Sequence, residues 1–190
     1  MCIADEEVFR ILCQLKINKA NGPDKLSNRL LKEIRYEIAP SLCKLFNKSL
    51  STHTFPDIWK LANVIPIYKK NDPKKVENYR PVSLLSNVAK IMEKLIFNKL
   101  YKYCTDNKIL TTHNSGFKQG DSTIYQLTDL VHRLHQCLDN SEDICLVFLD
   151  ASRAFDRIWH EGLLYKLQSM GVHGDILEWI RNYLQNQKLM

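Results

Sequence analysis

A carboxylate that closes an apolar run is the feature of this chain with the clearest chemical use. Ile144-Cys-Leu-Val-Phe-Leu149 is six apolar residues without a break, and Asp150 ends it. A short run with no helical period predicts a strand buried on both faces. Asp150 would then stand at the C-terminal end of that strand, where mixed sheets display catalytic groups. Phe155 and a second carboxylate, Asp156, follow. A hard cation such as Mg²⁺ takes oxygen ligands from a rigid support, which makes Asp150 a candidate metal ligand. The competing use is a cap on the next helical turn, a frequent role of Asp.

Positive charge is the second candidate. Between Lys60 and Lys118 stand twelve basic and four acidic residues, so that segment is +8 and the remainder −2 within a total of +6. Such asymmetry is the footprint of a phosphate-binding surface; a solvated helix face is the alternative.

The elements that must position these groups follow from periodicity and punctuation. Asp5, Glu6 and Glu7 suit a first helical turn, and Val8, Ile11, Leu12 and Leu15 follow at helical spacing. Asn21-Gly22-Pro23-Asp24 breaks the chain. Ser27 caps a short helix carrying Leu30, Leu31 and Ile34. Pro40 suits the first turn of the next helix, with Leu42, Leu45 and Phe46 inward. Ala62 to Tyr68 predicts a strand, with Pro66 arguing for an edge. Arg80 to Leu85 is its hairpin partner across a Lys69-Lys-Asn-Asp-Pro73 turn. A long helix spans about 87–107. Another starts after Ser122, with Ile124, Leu127, Leu130, Val131, Leu134 and Leu138 inward. Two more cover about 160–170 and 175–186, split by Gly171.

Composition excludes several classes. The chain has 190 residues, enough for a real core. No apolar run nears the ~18 residues of a membrane span. The acidic N-terminus lacks the layout of a signal peptide. Six cysteines, none in a C-x-x-C pair, argue against zinc or a disulfide framework and for free thiols in a reducing compartment. Between nucleus and cytoplasm the sequence does not choose.

Taken in order, the motifs resemble one family. Lys19-Ala-Asn-Gly-Pro-Asp24 is similar to the "KAPGPDG" opening of reverse transcriptases from non-LTR retrotransposons. Trp59-Lys-Leu-Ala-Asn-Val-Ile-Pro-Ile-Tyr-Lys-Lys70, with Asn78-Tyr-Arg-Pro-Val-Ser-Leu-Leu-Ser86, resembles their first fingers motif. Asn114-Ser-Gly-Phe-Lys118, with Ser122-Thr123, resembles the second. Phe148-Leu-Asp-Ala-Ser-Arg-Ala-Phe-Asp156, with His160 behind it, resembles palm motif A. The resemblance is nearest to the jockey-like elements of arthropods. Lys118 stands where Arg is common, and Lys25 where Gly is common.

The resemblance implies an α+β fold: fingers and partial palm of a right-hand polymerase, helix-rich with a small, mostly antiparallel sheet. Residues 1–58 would be a helical N-terminal extension of the fingers and 59–140 the fingers. Residues 141–190 would be the partial palm, with the motif A strand and the helices after it. It implies an RNA-directed DNA polymerase using an RNA template, a DNA primer, deoxynucleoside triphosphates and Mg²⁺. Asp150 would be catalytic and hold the metals. The backbone at Ala151 would lie against the triphosphate, Phe155 would be the steric gate under the sugar, and Arg80 with Lys69 or Lys70 would grip phosphate. Gly116, Phe117 and Lys118 would hold the template. Asp156 would be structural, bonded to nearby backbone or His160, while the cysteines, Trp159 and Trp179 would serve packing.

The family's next motifs, a Gly-Pro-Gln-Gly loop and a Tyr/Phe-Ala-Asp-Asp hairpin, do not occur, and there is no Asp-Asp dipeptide. The chain thus reads as a fragment truncated after motif A. By the same resemblance the remaining palm, the thumb and an endonuclease domain would belong to the full-length element. Two alternatives stand beside this reading: a catalytically dead nucleic-acid-binding remnant, and a helical interaction protein whose Asp150 is a cap.

Overall fold

The computed structural model describes residues 1–111, 113–151, 154, 157–186 and 188–189. They divide into two units, Met1–Tyr101 with Trp159–Met190, and Lys102–Ile158. The description is helix-rich α+β, as the sequence predicts.

In the first unit, helix α1 (Asp5–Cys13) opens on three acidic residues. The Glu7 carboxylate accepts from the Ala4 backbone N–H at 2.9 Å and holds Lys99 Nζ at 2.8 Å. Helix α2 (Asn28–Glu33) is capped by Ser27, which accepts from Leu30 N at 3.1 Å. Helix α3 (Arg35–Ser51) starts earlier than Pro40 suggests, so the proline lies inside it. Its buried face is Ala39, Leu42, Cys43, Phe46 and Leu50. Leu45 falls off that stripe and is exposed, against expectation; on α2 Leu31 is buried and Leu30 exposed.

A 3-10 turn, Asp57–Lys60, leads into strand β1 (Leu61–Tyr68), which pairs antiparallel with β2 (Tyr79–Leu84). The two-residue strand β3 (Lys188–Leu189) pairs parallel with Leu61 and Ala62, giving the order β2-β1-β3. Helix α4 (Asn87–Asp106) follows the hairpin, and α6 (His160–Ser169) and α7 (Asp175–Leu184) complete the unit. No described helix is long and apolar enough to cross a membrane.

Two motifs far apart in sequence lock together here. Ser86 Oγ donates to Asp24 Oδ2 and accepts from Ala89 N, the third residue of α4. Asn87 Nδ2 donates to Leu26 O at 2.7 Å. Gly22 lies directly on the Leu85–Ser86 backbone, where an added Cβ would meet Leu85 C at 2.4 Å. The break at Asn21–Asp24 is therefore a clasp on the start of α4.

The core joins α1, α3, α4, α6 and α7 around Val8, Leu12, Phe46, Ala89, Met92 and Leu164. Phe55 centres an aromatic group, with ring centroids 5.5 Å from Trp59, 5.4 Å from Trp179 and 5.0 Å from Tyr183. Trp179 Nε1 donates to Ser49 Oγ at 2.9 Å, and that hydroxyl donates to Thr54 O at 2.6 Å. Trp179 thus packs as expected, whereas Trp159 is 76% exposed and lies over Gly162. Glu93 is drawn into the same region. Burial pushes its carboxyl up, against the pull of the Tyr183 hydroxyl and Lys90. Its Oε1 is buried without a hydrogen bond. Burial and then the Glu93 charge push the Tyr183 phenol up to about 12.

In the second unit, α5 (Thr123–Asp139) is capped by Ser122, which accepts from Tyr125 N at 3.3 Å. The predicted inward face is not covered: Ile124, Leu127, Val131 and Leu138 are exposed, and no α5 residue is buried. The predicted strand over 144–149 is also corrected. Residues 142–151 have no regular secondary structure, and Phe148 and Leu149 are 82% and 93% exposed. A strand exists only where a neighbour completes its ladder, and no described strand lies in this unit. Apolar content marks the segment's preference, but without a partner the preference is not realised.

Candidate functional site

The β1–β2 hairpin presents the first group of candidates. Residue pairs run Pro66↔Pro81, Ile67↔Arg80 and Tyr68↔Tyr79. Lys69 N donates to Asn78 O at 2.8 Å, extending the register by one hydrogen-bonded pair. In an antiparallel ladder such pairs alternate with non-hydrogen-bonded ones. Ile67↔Arg80 is therefore hydrogen-bonded, and Pro66↔Pro81 is not. Both prolines, which lack an N–H, occupy positions where the ladder asks for none.

The same alternation sorts side chains by face. Arg80, Ile67 and Lys69 share one face at the tip end, and Tyr68 and Tyr79 share the other, with ring centroids 5.7 Å apart. Lys70 lies in the bend beyond the paired strand. The tip is tied by several bonds. Tyr68 Oη donates to Asn71 O, Tyr79 Oη to Pro73 O at 2.9 Å, and Asn78 Nδ2 to Asp72 O at 2.7 Å. Asp72 Oδ1 accepts from Lys74 N at 2.9 Å. Lys69, Lys70 and Arg80 are exposed on this braced tip. The tyrosine clamp was not foreseen, although two tyrosines at equal distance from the turn were its signal.

The second unit carries Gly116, Phe117 and Lys118 in a turn closed by Lys118 N donating to Ser115 O at 3.4 Å. Phe117 has φ 61°, the left-handed region that non-glycine residues seldom occupy, and is 91% exposed. Ser115 Oγ donates to Gln126 Oε1 at 2.5 Å, fixing the turn to α5. Beside it lies a polar hollow of about 560 Å³ between His113, Asp121, Tyr125 and Arg133, which composition alone does not reveal. Gly116 has room: an added Cβ would come no nearer than 3.7 Å to Asn114 Oδ1.

Asp150 and Ala151 lie in the exposed segment after α5. The backbone that Asp150 would cap, at 152 and 153, lies outside the described residues. Phe155 and Asp156 lie outside the described residues. Among the described residues no three metal-ligating side chains converge. A Mg²⁺ ion at Asp150 would draw one ligand from them, which does not make a complete site.

A profile of the family described as "Reverse transcriptase (RNA-dependent DNA polymerase)" matches residues 67–189. Among curated relatives, the chain is 34% identical over 186 residues to "Probable RNA-directed DNA polymerase from transposon BS" of Drosophila melanogaster. That alignment covers 97% of this chain and 20% of the relative. It is 37% identical over 166 residues to "RNA-directed DNA polymerase from mobile element jockey" of the same species, covering 87% and 18%. It is 26% identical over 164 residues to "Retrovirus-related Pol polyprotein from type-1 retrotransposable element R1" of Bradysia coprophila, covering 85% and 16%. The chain spans about a fifth of the length of the relatives it matches.

Proposed function

This chain belongs to the reverse transcriptase (RNA-dependent DNA polymerase) family, and from that membership we propose that it forms the fingers and part of the palm of a jockey-like retrotransposon's RNA-directed DNA polymerase. The observation that carries the proposal is the match over residues 67–189, which includes the hairpin tip, the Gly116 turn and Asp150. Residues 1–58 would extend the fingers, 59–140 form them, and 141–190 begin the palm. The substrates would be an RNA template, a DNA primer and deoxynucleoside triphosphates.

The hairpin register supports a division of labour. Arg80 and Lys69 share a face, so they can close on one triphosphate, and Lys70 lies beside them in the exposed bend. Arg offers a planar fork to phosphate and Lys a point charge. The Gly116–Lys118 turn would take template, with the backbone approaching closely at Gly116 and Lys118 meeting a phosphate. The Ala151 backbone would lie along the triphosphate, and Phe155 would exclude a 2′-hydroxyl. Asp150 is assigned to the Mg²⁺ site of the full-length protein, where paired ions would stabilise charge in nucleotidyl transfer. The described residues do not complete that site.

In the full-length protein, Asp150→Asn abolishes primer extension on an RNA template while nucleic-acid binding is retained. A single preorganised electrostatic contact already contributes about 3–4 kcal/mol, so a drop of at least 10²-fold is expected. Undiminished extension would overturn the assignment. A second reading is a nucleic-acid-binding remnant without catalysis, which the exposed lysines and arginine of the hairpin tip would serve. Extension by the unmutated full-length protein decides against it.

A further inference from the structure

The segment before α1 is held on α3 by one side chain. Ile3 is 2% exposed. Its backbone N–H donates to Asn47 Oδ1 at 2.8 Å, and its carbonyl accepts from Asn47 Nδ2 at 2.8 Å. A side-chain amide can serve both polar groups of a backbone residue, since it carries a donor and an acceptor. Two thiols meet at this point. Cys43 Sγ, one turn before Asn47 on α3, donates to Ile3 O at 3.2 Å, and Cys2 Sγ donates to the same oxygen at 3.7 Å. The two sulfurs are therefore no farther apart than the sum of those distances. Asn47 Nδ2 also donates to Cys43 Sγ at 3.3 Å, which holds that sulfur in place.

The pair is asymmetric. Cys2 is exposed and Cys43 is buried. Burial, then the Asp5 carboxylate and Cys2, push the Cys43 thiol up to about 11. A thiol so placed is not the one that meets a dissolved oxidant first. An exposed thiol beside a buried one divides the work: the first takes up the oxidant and the second resolves the adduct.

We propose that Cys2 and Cys43 form a redox-sensitive clasp, which closes to a disulfide when the surroundings supply a glutathione-type disulfide and opens again when thiols prevail. The Cys2 thiolate attacks the small disulfide; one of its sulfurs bonds to Cys2 and the other leaves as a thiolate. Cys43 then loses its proton to solvent and attacks Cys2 Sγ. The Cys2–Cys43 bond forms, and the second small thiolate leaves. Two protein thiols are oxidised, and one small disulfide is reduced to two thiols. The link makes covalent the hold that Asn47 exerts through hydrogen bonds. It lies outside residues 67–189 and does not depend on the polymerase reading.

The test incubates the reduced 190-residue chain with oxidised glutathione, alkylates it with iodoacetamide and maps its peptides by mass spectrometry. Holding two reacting groups together raises their effective concentration by orders of magnitude, so the Cys2–Cys43 peptide should exceed every other cysteine pair by at least about tenfold. The same oxidation in denaturing urea should remove that preference. Crosslinking should raise the midpoint of urea unfolding, because the linked unfolded chain has less freedom. A reducing phosphine should return the midpoint to its starting value. Cys2→Ser changes an exposed residue; it should keep the circular dichroism spectrum and the reduced midpoint and abolish the rise. Cys43→Ala should stop the reaction with glutathione on Cys2. A folded wild-type chain in which Cys2 and Cys43 stay unlinked overturns the proposal. So does a preference that survives urea, or a link that lowers the midpoint.

Discussion

Gly22→Ala tests the clasp between the Gly22–Asp24 break and the start of α4. The Gly22 backbone is outside the left-handed region, so the cost is one of contact. An alanine Cβ would lie 2.4 Å from Leu85 C, 2.5 Å from Leu85 O and 2.5 Å from Ser86 N. All three are backbone atoms, and no side chain can rotate away. The chain then has two routes. If the clasp holds, the overlap costs about 1–3 kcal/mol, as overpacking does. If it opens, the Ser86–Asp24 bond to a carboxylate is lost, about 1.5–3 kcal/mol, with Asn87–Leu26 adding about 0.5–1.5. The loss of unfolded-state freedom at glycine offsets about 0.4–1 kcal/mol. A net destabilisation of about 2–3 kcal/mol is expected. Urea unfolding followed by the fluorescence of buried Trp59 and Trp179 reads it. With a slope of about 1–3 kcal/mol/M, the midpoint should fall by about 1–2 M. Gly116→Ala, with its nearest neighbour at 3.7 Å, should stay within about 0.5 kcal/mol of wild type. A Gly22→Ala midpoint equal to that of Gly116→Ala would refute the clasp.

Ser49→Ala leaves the buried Trp179 N–H and Thr54 carbonyl without their shared partner, and should cost about 2–3 kcal/mol in the same urea assay. Glu93→Gln keeps an acceptor for Tyr183 but cannot ionise. Because the folded Glu93 carboxyl titrates above its unfolded value, wild type loses stability as pH rises through and above the ordinary carboxylate range. The variant should be the more stable near neutral pH, and the advantage should vanish below about pH 4; a pH-independent difference would refute the burial argument. In the full-length polymerase, Phe155→Val should raise ribonucleotide kcat/KM more than tenfold and hold deoxynucleotide kcat/KM within about tenfold. Equal slowing of both sugars would make Phe155 a packing residue.

The hairpin was legible because its signals are local: two apolar runs, a Lys-Lys-Asn-Asp-Pro turn and prolines where a ladder tolerates them. The caps Ser27 and Ser122 and the length of α4 were legible for the same reason. The outward faces of α5 and the state of Ile144–Leu149 were not. Periodicity tells which face of an element wants cover but not whether anything covers it. The choice between Lys69 and Lys70 could not be read from residue type; Lys69 extends the ladder by its bond to Asn78, and Lys70 lies in the bend beyond it. The Asn21–Asp24 break was seen as punctuation only. Its role depends on Ser86, more than sixty positions away, and no spacing rule links the two. That Lys16 and Lys19 line one cleft with Lys90 and Lys94 was hidden for a similar reason, since they meet only after folding.

The facing prolines of the hairpin have an effect on assembly. In a non-hydrogen-bonded pair, each residue turns its backbone polar groups outward, toward any third strand. At Pro66 and Pro81 the outward donor is missing on both sides. Neither flank of the hairpin can recruit a continuing ladder at that level, and the parallel partner of β1 reaches only Leu61 and Ala62. The distal half of the hairpin therefore remains a two-stranded arm, protected against edge-to-edge association. Its lysine and arginine tip stays clear of neighbouring strands, including those of other copies of the chain. The apolar run Ile144–Leu149 has no such proline, and Val147, Phe148 and Leu149 in it are exposed.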